Sequence, residues 1–258
     1  MTSLPLVIGH RGAGGHAPEN TLAAFRLGLS LGADGVECDV HMSQDGQLVV
    51  IHDAMVDRTT SGKGRVGTMP FEALRQLDAG SWFDPRFEGE RLPSLEEVFG
   101  VVRKAEWESG KERWLFVELK HGDETYPGIE DTLVRAIARS GLSQRIGVIS
   151  FDHRAIARIQ ALEPGIRTGV LYDARPVDSV SLAKAAGAGW IGPAVKWVDD
   201  AEVSSARRAG LEVFVWTANQ EDAMRRVLEL GVTAVGSDYP DRLLAMRANT
   251  RFSPTNSF

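Results

Sequence analysis

Apolar residues fall along this chain in short runs, most of them followed by a polar or glycine turn and then a helical pattern. The runs cover residues 6–9, 35–40, 115–119, 146–150, 168–172, 189–192, 213–217 and 234–237. They are short and rich in Val and Ile, as buried parallel strands are. Between most of them, apolar residues recur at three- and four-residue steps. That spacing predicts helices over 21–31, 129–140, 154–162, 180–186, 201–209 and 221–230. Gly141, Gly210 and Gly231 follow helical stretches, where glycine commonly ends a helix. Eight strands alternating with helices predict an α/β fold, a single (β/α)8 TIM barrel over residues 1–258.

Two segments break the alternation. A further apolar run, 48–52, follows the second strand after a gap that holds Asp45-Gly46, a strong hairpin signal. The gap is too short for a parallel crossover, so this strand returns antiparallel. Folding about Asp45-Gly46 predicts Asp39 opposite His52. Residues 54–95 contain no clean barrel strand, and an insertion of this size at a barrel rim reads as a cap or lid. Residues 247–258 are polar and read as a flexible tail.

Composition narrows the function classes. A single cysteine, Cys38, excludes a disulfide-stapled scaffold and a thiolate-rich metal site. A net charge of −6 gives no global footprint for nucleic acid. No apolar run approaches the roughly 20 residues that span a bilayer. The first apolar stretch has no basic residue before it and runs into Gly9-His10-Arg11-Gly12, so it is not read as a signal peptide. The expected location is cytoplasmic.

In a barrel, chemistry sits at the C-terminal ends of the strands. Those ends carry His10-Arg11-Gly12, Glu37 and Asp39, His52-Asp53, Glu118 with Lys120, and later Ser150, Thr217 and Asp238. Glu37 and Asp39 are two apart, so they share one strand face, with Cys38 opposite. Buried carboxylates are costly unless paired or bound to a cation. With Glu118 on the neighbouring strand, the three suit a hard cation such as Mg²⁺, Ca²⁺ or Mn²⁺. The competing reading is an ion cluster neutralised by Arg11 and Lys120. His41 shares the same face by alternation and is a candidate fourth ligand. His10 and His52 at converging strand ends suit a general acid and base. Arg11 suits phosphate or carboxylate recognition. His10 and Arg11 are adjacent, so both reach the interior only where the strand bends or ends, and Gly12 allows that. Trp216 and Phe151 stand at strand ends, where they line a pocket or simply pack.

These residues resemble a known family, the glycerophosphodiester phosphodiesterases. The likeness is carried by His10-Arg11-Gly12, Pro18-Glu19-Asn20-Thr21, Glu37-Cys38-Asp39-Val40, Asp45-Gly46, Val50-Ile51-His52-Asp53 and Leu92-Pro93-Ser94-Leu95. It continues through Val117-Glu118-Leu119-Lys120, Ser150-Phe151, Trp216-Thr217-Ala218-Asn219 and Ser237-Asp238-Tyr239-Pro240. The ordered set covers nearly the whole chain. The resemblance implies a barrel with its site capped by 54–95, and one divalent cation, Mg²⁺ or Ca²⁺, on Glu37, Asp39 and Glu118. It implies His10 and His52 as the acid–base pair, and Arg11 and Lys120 on the phosphate, with Trp216 beside the substrate. The implied reaction converts a small glycerophosphodiester to sn-glycerol 3-phosphate and an alcohol. Ala218 and Gly236 depart from the bulkier residues expected there. Two other readings keep the fold: a phosphodiesterase for lysophospholipids or glycerophosphoinositol, gripped by Trp82, Phe83 and Phe87, and a binding barrel without catalysis. The intact histidine motifs weigh against the latter.

Overall fold

The computed structural model describes residues 4–120 and 126–249. Along these, the order is β1 (Leu6–Gly9), α1 (Leu22–Ser30), β2 (Gly35–Met42), β3 (Leu48–Val50), α2 (Phe71–Arg75), α3 (Leu95–Ser109), β4 (Trp114–Leu119) and α4 (Ile129–Ser140). Then come β5 (Ile146–Ser150), α5 (His153–Leu162), β6 (Arg167–Tyr172), α6 (Ser179–Ala185), β7 (Trp190–Pro193), α7 (Asp200–Arg208), β8 (Glu212–Val215), α8 (Glu221–Leu230), β9 (Ala234–Ser237) and α9 (Pro240–Asn249). The strands pair in the order β1-β9-β8-β7-β6-β5-β4-β2-β3, and a β1–β2 pairing closes the ring. Every ring pairing is parallel. The eight ring strands and their helices form the expected (β/α)8 barrel.

Alternation along the strands builds two apolar cores. Outward-facing Val7, Val36, Cys38, Val40, Val117, Val148, Val170, Ile191, Val213 and Val235 join the apolar faces of the helices. Inward-facing Ile8, Phe116, Ile149, Leu171, Trp190, Phe214 and Ala234 fill the barrel. Phe116 and Phe214 stack there with centroids 4.7 Å apart. Several glycines serve this plug rather than turns. A Cβ at Gly147 would stand 2.9 Å from the Phe116 ring, and one at Gly192 would stand 2.4 Å from Leu171.

β2 is the longest strand, and its length positions the site. β1 pairs only with its first two residues, because β1 ends at Gly9. The edge left free above is taken by antiparallel β3, with Val40 opposite Val50 and Met42 opposite Leu48. This register corrects the expected pairing: Asp39 faces Ile51, whose N–H donates to Asp39 O at 3.0 Å, and not His52. The turn has three residues rather than two. Ser43 N–H donates to Gln47 O at 2.9 Å, and Gly46 adopts the left-handed φ of 82° that such turns require.

Three helices lie outside the predicted set: the short α2, α3 and α9. α3 starts at a full capping box, Ser94 with Glu97, a signal present in the sequence. α9 runs to Asn249, so Arg247 is helical rather than tail, and it donates to Pro5 O at 2.7 Å. The rest of the expected tail, 250–258, lies outside the described residues. Residues 54–95 contain α2 and contribute Val56, Val66, Leu74, Ala79 and Leu92 to a small separate core with Val49 and Ile51. Among the described residues no helix is long and apolar enough to cross a membrane.

Candidate active site

The strand register brings the carboxylates together. Asp39 lies beside Glu118 across the β2–β4 ladder, and Glu37 lies one inward position below, beside Phe116. One oxygen from each of Glu37, Asp39 and Glu118 lies within 4.8 Å of the others, and all three residues are buried. They stand directly above the aromatic plug. Glu37, Glu118, His10 and Trp216 line a small pocket floored by Ile149, Leu171 and Phe214. A larger groove runs between α1 and α3 on the outside of the barrel, away from this chemistry.

The turn after β1 lets adjacent residues serve one site. Arg11 has a φ of 50° and Gly12 a φ of 92°, so the chain turns left-handed where the strand stops. A non-glycine residue in that region costs roughly 1–2 kcal/mol, which local bonds must offset. Arg11 N–H donates to Glu37 Oε2 at 2.9 Å, and its guanidinium donates to Glu19 Oε1 at 2.7 Å and approaches Asp39 Oδ2 at 3.4 Å. Asn20, also left-handed at 60°, donates to Asp39 Oδ2 at 2.7 Å. Lys120 reaches down from the end of β4 to Glu118 Oε1 at 2.7 Å and Asp39 Oδ1 at 3.2 Å.

These cations do not satisfy the carboxylates. Glu37 Oε1 is buried without a hydrogen-bond partner, and Asp39 Oδ1 has only an ion-pair contact with Lys120 Nζ at 3.2 Å. Burial, with the charges of Asp39 and Glu118, pushes the Glu37 carboxyl well above its ordinary range. Burial also pushes Glu118 up, against the pull of Lys120. Burial opposes the ionisation of Asp39 too, but Lys120 and Arg11 hold it far below its ordinary value. Arg11 is itself shared with Glu19, and Lys120 is shared between two acids. A self-neutralised ion cluster would leave no oxygen orphaned. The donor set is all oxygen and carboxylate-rich, which fits a hard divalent cation.

Each histidine is held by an aspartate. His10 Nδ1 lies 2.6 Å from Asp238 Oδ1, and Asn219 Nδ2 donates to the other oxygen of Asp238 at 2.6 Å. His52 Nδ1 lies 2.6 Å from Asp53 Oδ1. A carboxylate partner puts the proton on Nδ1 and leaves Nε2 as the working nitrogen. His10 Nε2 points toward Glu37, at 3.9 Å. Burial lowers the pKa of His10, but the Asp238 hydrogen bond and the Glu37 charge raise it overall. For His52, burial together with Lys120 and Arg11 outweighs Asp39 and Asp53, and the pKa falls.

His41 stays out of the cluster. Its Nε2 bonds His52 O at 3.0 Å and its Nδ1 bonds the Tyr126 hydroxyl at 2.8 Å. A carbonyl only accepts, so Nε2 carries the proton, and both ring nitrogens are used in holding the His52 backbone. Trp216 donates to Gly192 O at 2.8 Å and stands edge-on to Phe151 with centroids 5.3 Å apart. Trp82, Phe83 and Phe87 pack edge to edge on one another, and none of them lines the cavity at the carboxylates. Ser150 is structural, its hydroxyl donating to Leu119 O at 2.7 Å. Sequence reasoning gave no role to Asp238, Asn219, Glu19 or Arg58. Asp238, Asn219 and Glu19 stand in quoted motifs and Arg58 in the inserted segment, but the partners that give them roles are distant along the chain.

The chain is similar to known proteins over nearly its whole length. The model of the glycerophosphoryl diester phosphodiesterase family matches residues 10–242. A glycerophosphodiester phosphodiesterase from Caldanaerobacter subterraneus subsp. tengcongensis is 37% identical over 239 residues, covering 93% of this chain and 96% of that protein. One from Bacillus subtilis is 33% identical over 257 residues, covering 92% and 84%. Among solved structures, an Oleispira antarctica phosphodiesterase in complex with the product sn-glycerol-3-phosphate superimposes with a TM-score of 0.84 at 32% identity, covering 96% of this chain and 98% of that one.

Proposed function

The chain belongs to the glycerophosphoryl diester phosphodiesterase family and is a phosphoric diester hydrolase, and we propose that it cleaves glycerophosphodiesters to sn-glycerol 3-phosphate and an alcohol by histidine acid–base catalysis beside one divalent cation. The observation that carries the reading is the trio Glu37, Asp39 and Glu118, with an orphaned buried oxygen on Glu37 and histidines held by aspartates beside it. The product named for the Oleispira antarctica relative supports the same substrate class.

Glu37, Asp39 and Glu118 hold the cation, Mg²⁺ or Ca²⁺, with Mn²⁺ also compatible with the oxygen ligands. When bound, it offsets phosphate charge and makes the attacking hydroxyl more acidic. Arg11 and Lys120 grip the phosphate oxygens, Arg11 through its planar fork and Lys120 as a point charge. Both already lie within reach of the carboxylates, so the substrate draws them partly away from Asp39 and Glu118. One of His10 and His52 takes the proton of the attacking hydroxyl at Nε2, and the other gives a proton to the leaving alcohol. Asp238 and Asp53 hold the two rings in the tautomer this requires. Trp216 walls the glycerol side, and residues 54–95 cap the mouth. The buried single thiol Cys38 accords with a reducing, cytoplasmic setting.

The test is release of glycerol 3-phosphate from glycerophosphocholine by purified protein, with Mg²⁺, Ca²⁺ or Mn²⁺ and with chelator. Cation-dependent release supports the reading, and no release with any of the three contradicts it.

A further inference from the structure

We infer that Arg58, from the inserted segment, is a positioning residue that clamps the aspartate behind His52 to the glutamate behind Arg11. The guanidinium lies between two carboxylates. Its Nε donates to Asp53 Oδ2 at 2.6 Å and its Nη2 to Asp53 Oδ1 at 3.2 Å. Its Nη1 donates to Glu19 Oε2 at 2.9 Å and its Nη2 to Glu19 Oε1 at 2.8 Å. Glu19 Oε1 also takes the Arg11 guanidinium at 2.7 Å, and Asp53 Oδ1 holds His52 Nδ1 at 2.6 Å. An unbroken line of side chains therefore runs His52–Asp53–Arg58–Glu19–Arg11.

The segment is built to present this residue. Val56 N–H donates to Gly64 O and Val66 N–H to Ala54 O, making a small hairpin with Arg58 in its loop. Val56, Val66 and Leu74 bury against Val49 and Ile51, so β3 and the hairpin share one core. Thr60 fixes the loop from inside, its hydroxyl donating to Val56 O at 2.8 Å.

The alternative role is a stabilising surface ion pair. The Arg58 side chain is 45% exposed, and exposed pairs contribute little to stability. Geometry is what two bidentate contacts supply. Asp53 is held as an anion, its carboxyl pushed down to about 2 against the effect of burial, chiefly by the Arg58 hydrogen bond. Without Arg58, Asp53 keeps His52 but loses the donors that fix its own rotamer. Lysine offers one point of attachment and cannot span both acids.

The inference rests on the roles proposed for His52 and Arg11, and its test carries one readout independent of turnover. Histidine-labelled protein is compared by ¹⁵N and ¹H NMR as wild type, Arg58→Ala and Arg58→Lys, alongside steady-state hydrolysis of glycerophosphocholine with Mg²⁺. In Arg58→Ala the strongly deshielded His52 Nδ1 proton is expected to shift or broaden. kcat is expected to fall by about ten- to a hundredfold, with the larger share in kcat rather than KM. Added methylguanidinium restores part of both, and Arg58→Lys restores less. His52 signals at their wild-type positions in both variants overturn the clamp, whatever the rates. If wild-type protein turns over no glycerophosphodiester, the activity reading falls, and the His52 signals still decide the clamp.

Discussion

His10 and Asp238, 228 residues apart in the chain, meet at 2.6 Å across the first and last strands of the barrel. The bond exists only because β1 and β9 are neighbours in the closed ring. It fixes the ring tautomer, so Asp238→Asn presents His10 with the wrong hydrogen-bond pattern. We expect kcat to fall about a hundredfold or more, with the fold intact. Near-wild-type turnover, measured at saturating substrate, would remove His10 from the acid–base pair.

If Glu37 is a cation ligand, as proposed, it trades stability for cation binding. A buried carboxylate with an orphaned oxygen is costly when no cation shares the site. At pH 8, Glu37→Gln is expected to stabilise chelator-treated protein by about 1–3 kcal/mol while abolishing activity. Thermal melts with and without Ca²⁺ should show a cation-dependent rise in wild type and little in the variant. A rise of equal size in both would mean that the cation sits elsewhere.

The aromatic plug predicts unequal costs for two chemically identical changes. In Gly147→Ala the new methyl stands 2.9 Å from the Phe116 ring, whereas in Gly236→Ala it stands 3.3 Å from Phe214 Cζ. Overpacking a rigid interior costs about 1–3 kcal/mol, so Gly147→Ala should fall in that range and Gly236→Ala below it. Urea midpoints report the difference, and the reverse order would contradict the interior packing described.

Acid should loosen the inserted segment. Asp78 accepts from the backbone N–H groups of Ser81 at 2.8 Å, Gly89 at 2.7 Å and Gly80 at 2.9 Å. These bonds push its carboxyl down from 3.8 to about 2. The folded value lies below the unfolded one, so the stabilisation is fully present above about pH 4 and is lost as pH falls through about 2. The stability gap between wild type and Asp78→Asn should be constant near neutrality and close between pH 4 and 2. A gap that widens on acidification would reverse the sign of this linkage.

Much of this was legible because a barrel strand is a short alternating pattern and its C-terminal end is a fixed address. Glu37 and Asp39 could be placed on one strand face from spacing alone, with Glu118 a candidate third on the neighbouring strand. What spacing could not give was register: a three-residue turn at Gly46 put Asp39 opposite Ile51 instead of His52. Nor could it resolve how His10 and Arg11 share a site, which depends on the left-handed φ at Arg11. Helix α3 was signalled by Ser94 and Glu97, but its apolar pattern sits beside an insertion that obscures where the barrel resumes. Asp238, Asn219, Glu19 and Arg58 act through partners that only the closed ring and the inserted hairpin bring near.

The central claim is that three buried carboxylates hold a catalytic cation beside His10 and His52. The most direct measurement titrates chelator-stripped protein with Mg²⁺, Ca²⁺ and Mn²⁺ while following glycerol 3-phosphate release from glycerophosphocholine, for wild type, His10→Ala and His52→Ala. We predict no turnover without cation, recovery in wild type as a single site fills, and a loss of about a hundredfold or more in each histidine variant. Full activity in excess chelator, or near-wild-type rates in both histidine variants, would contradict it.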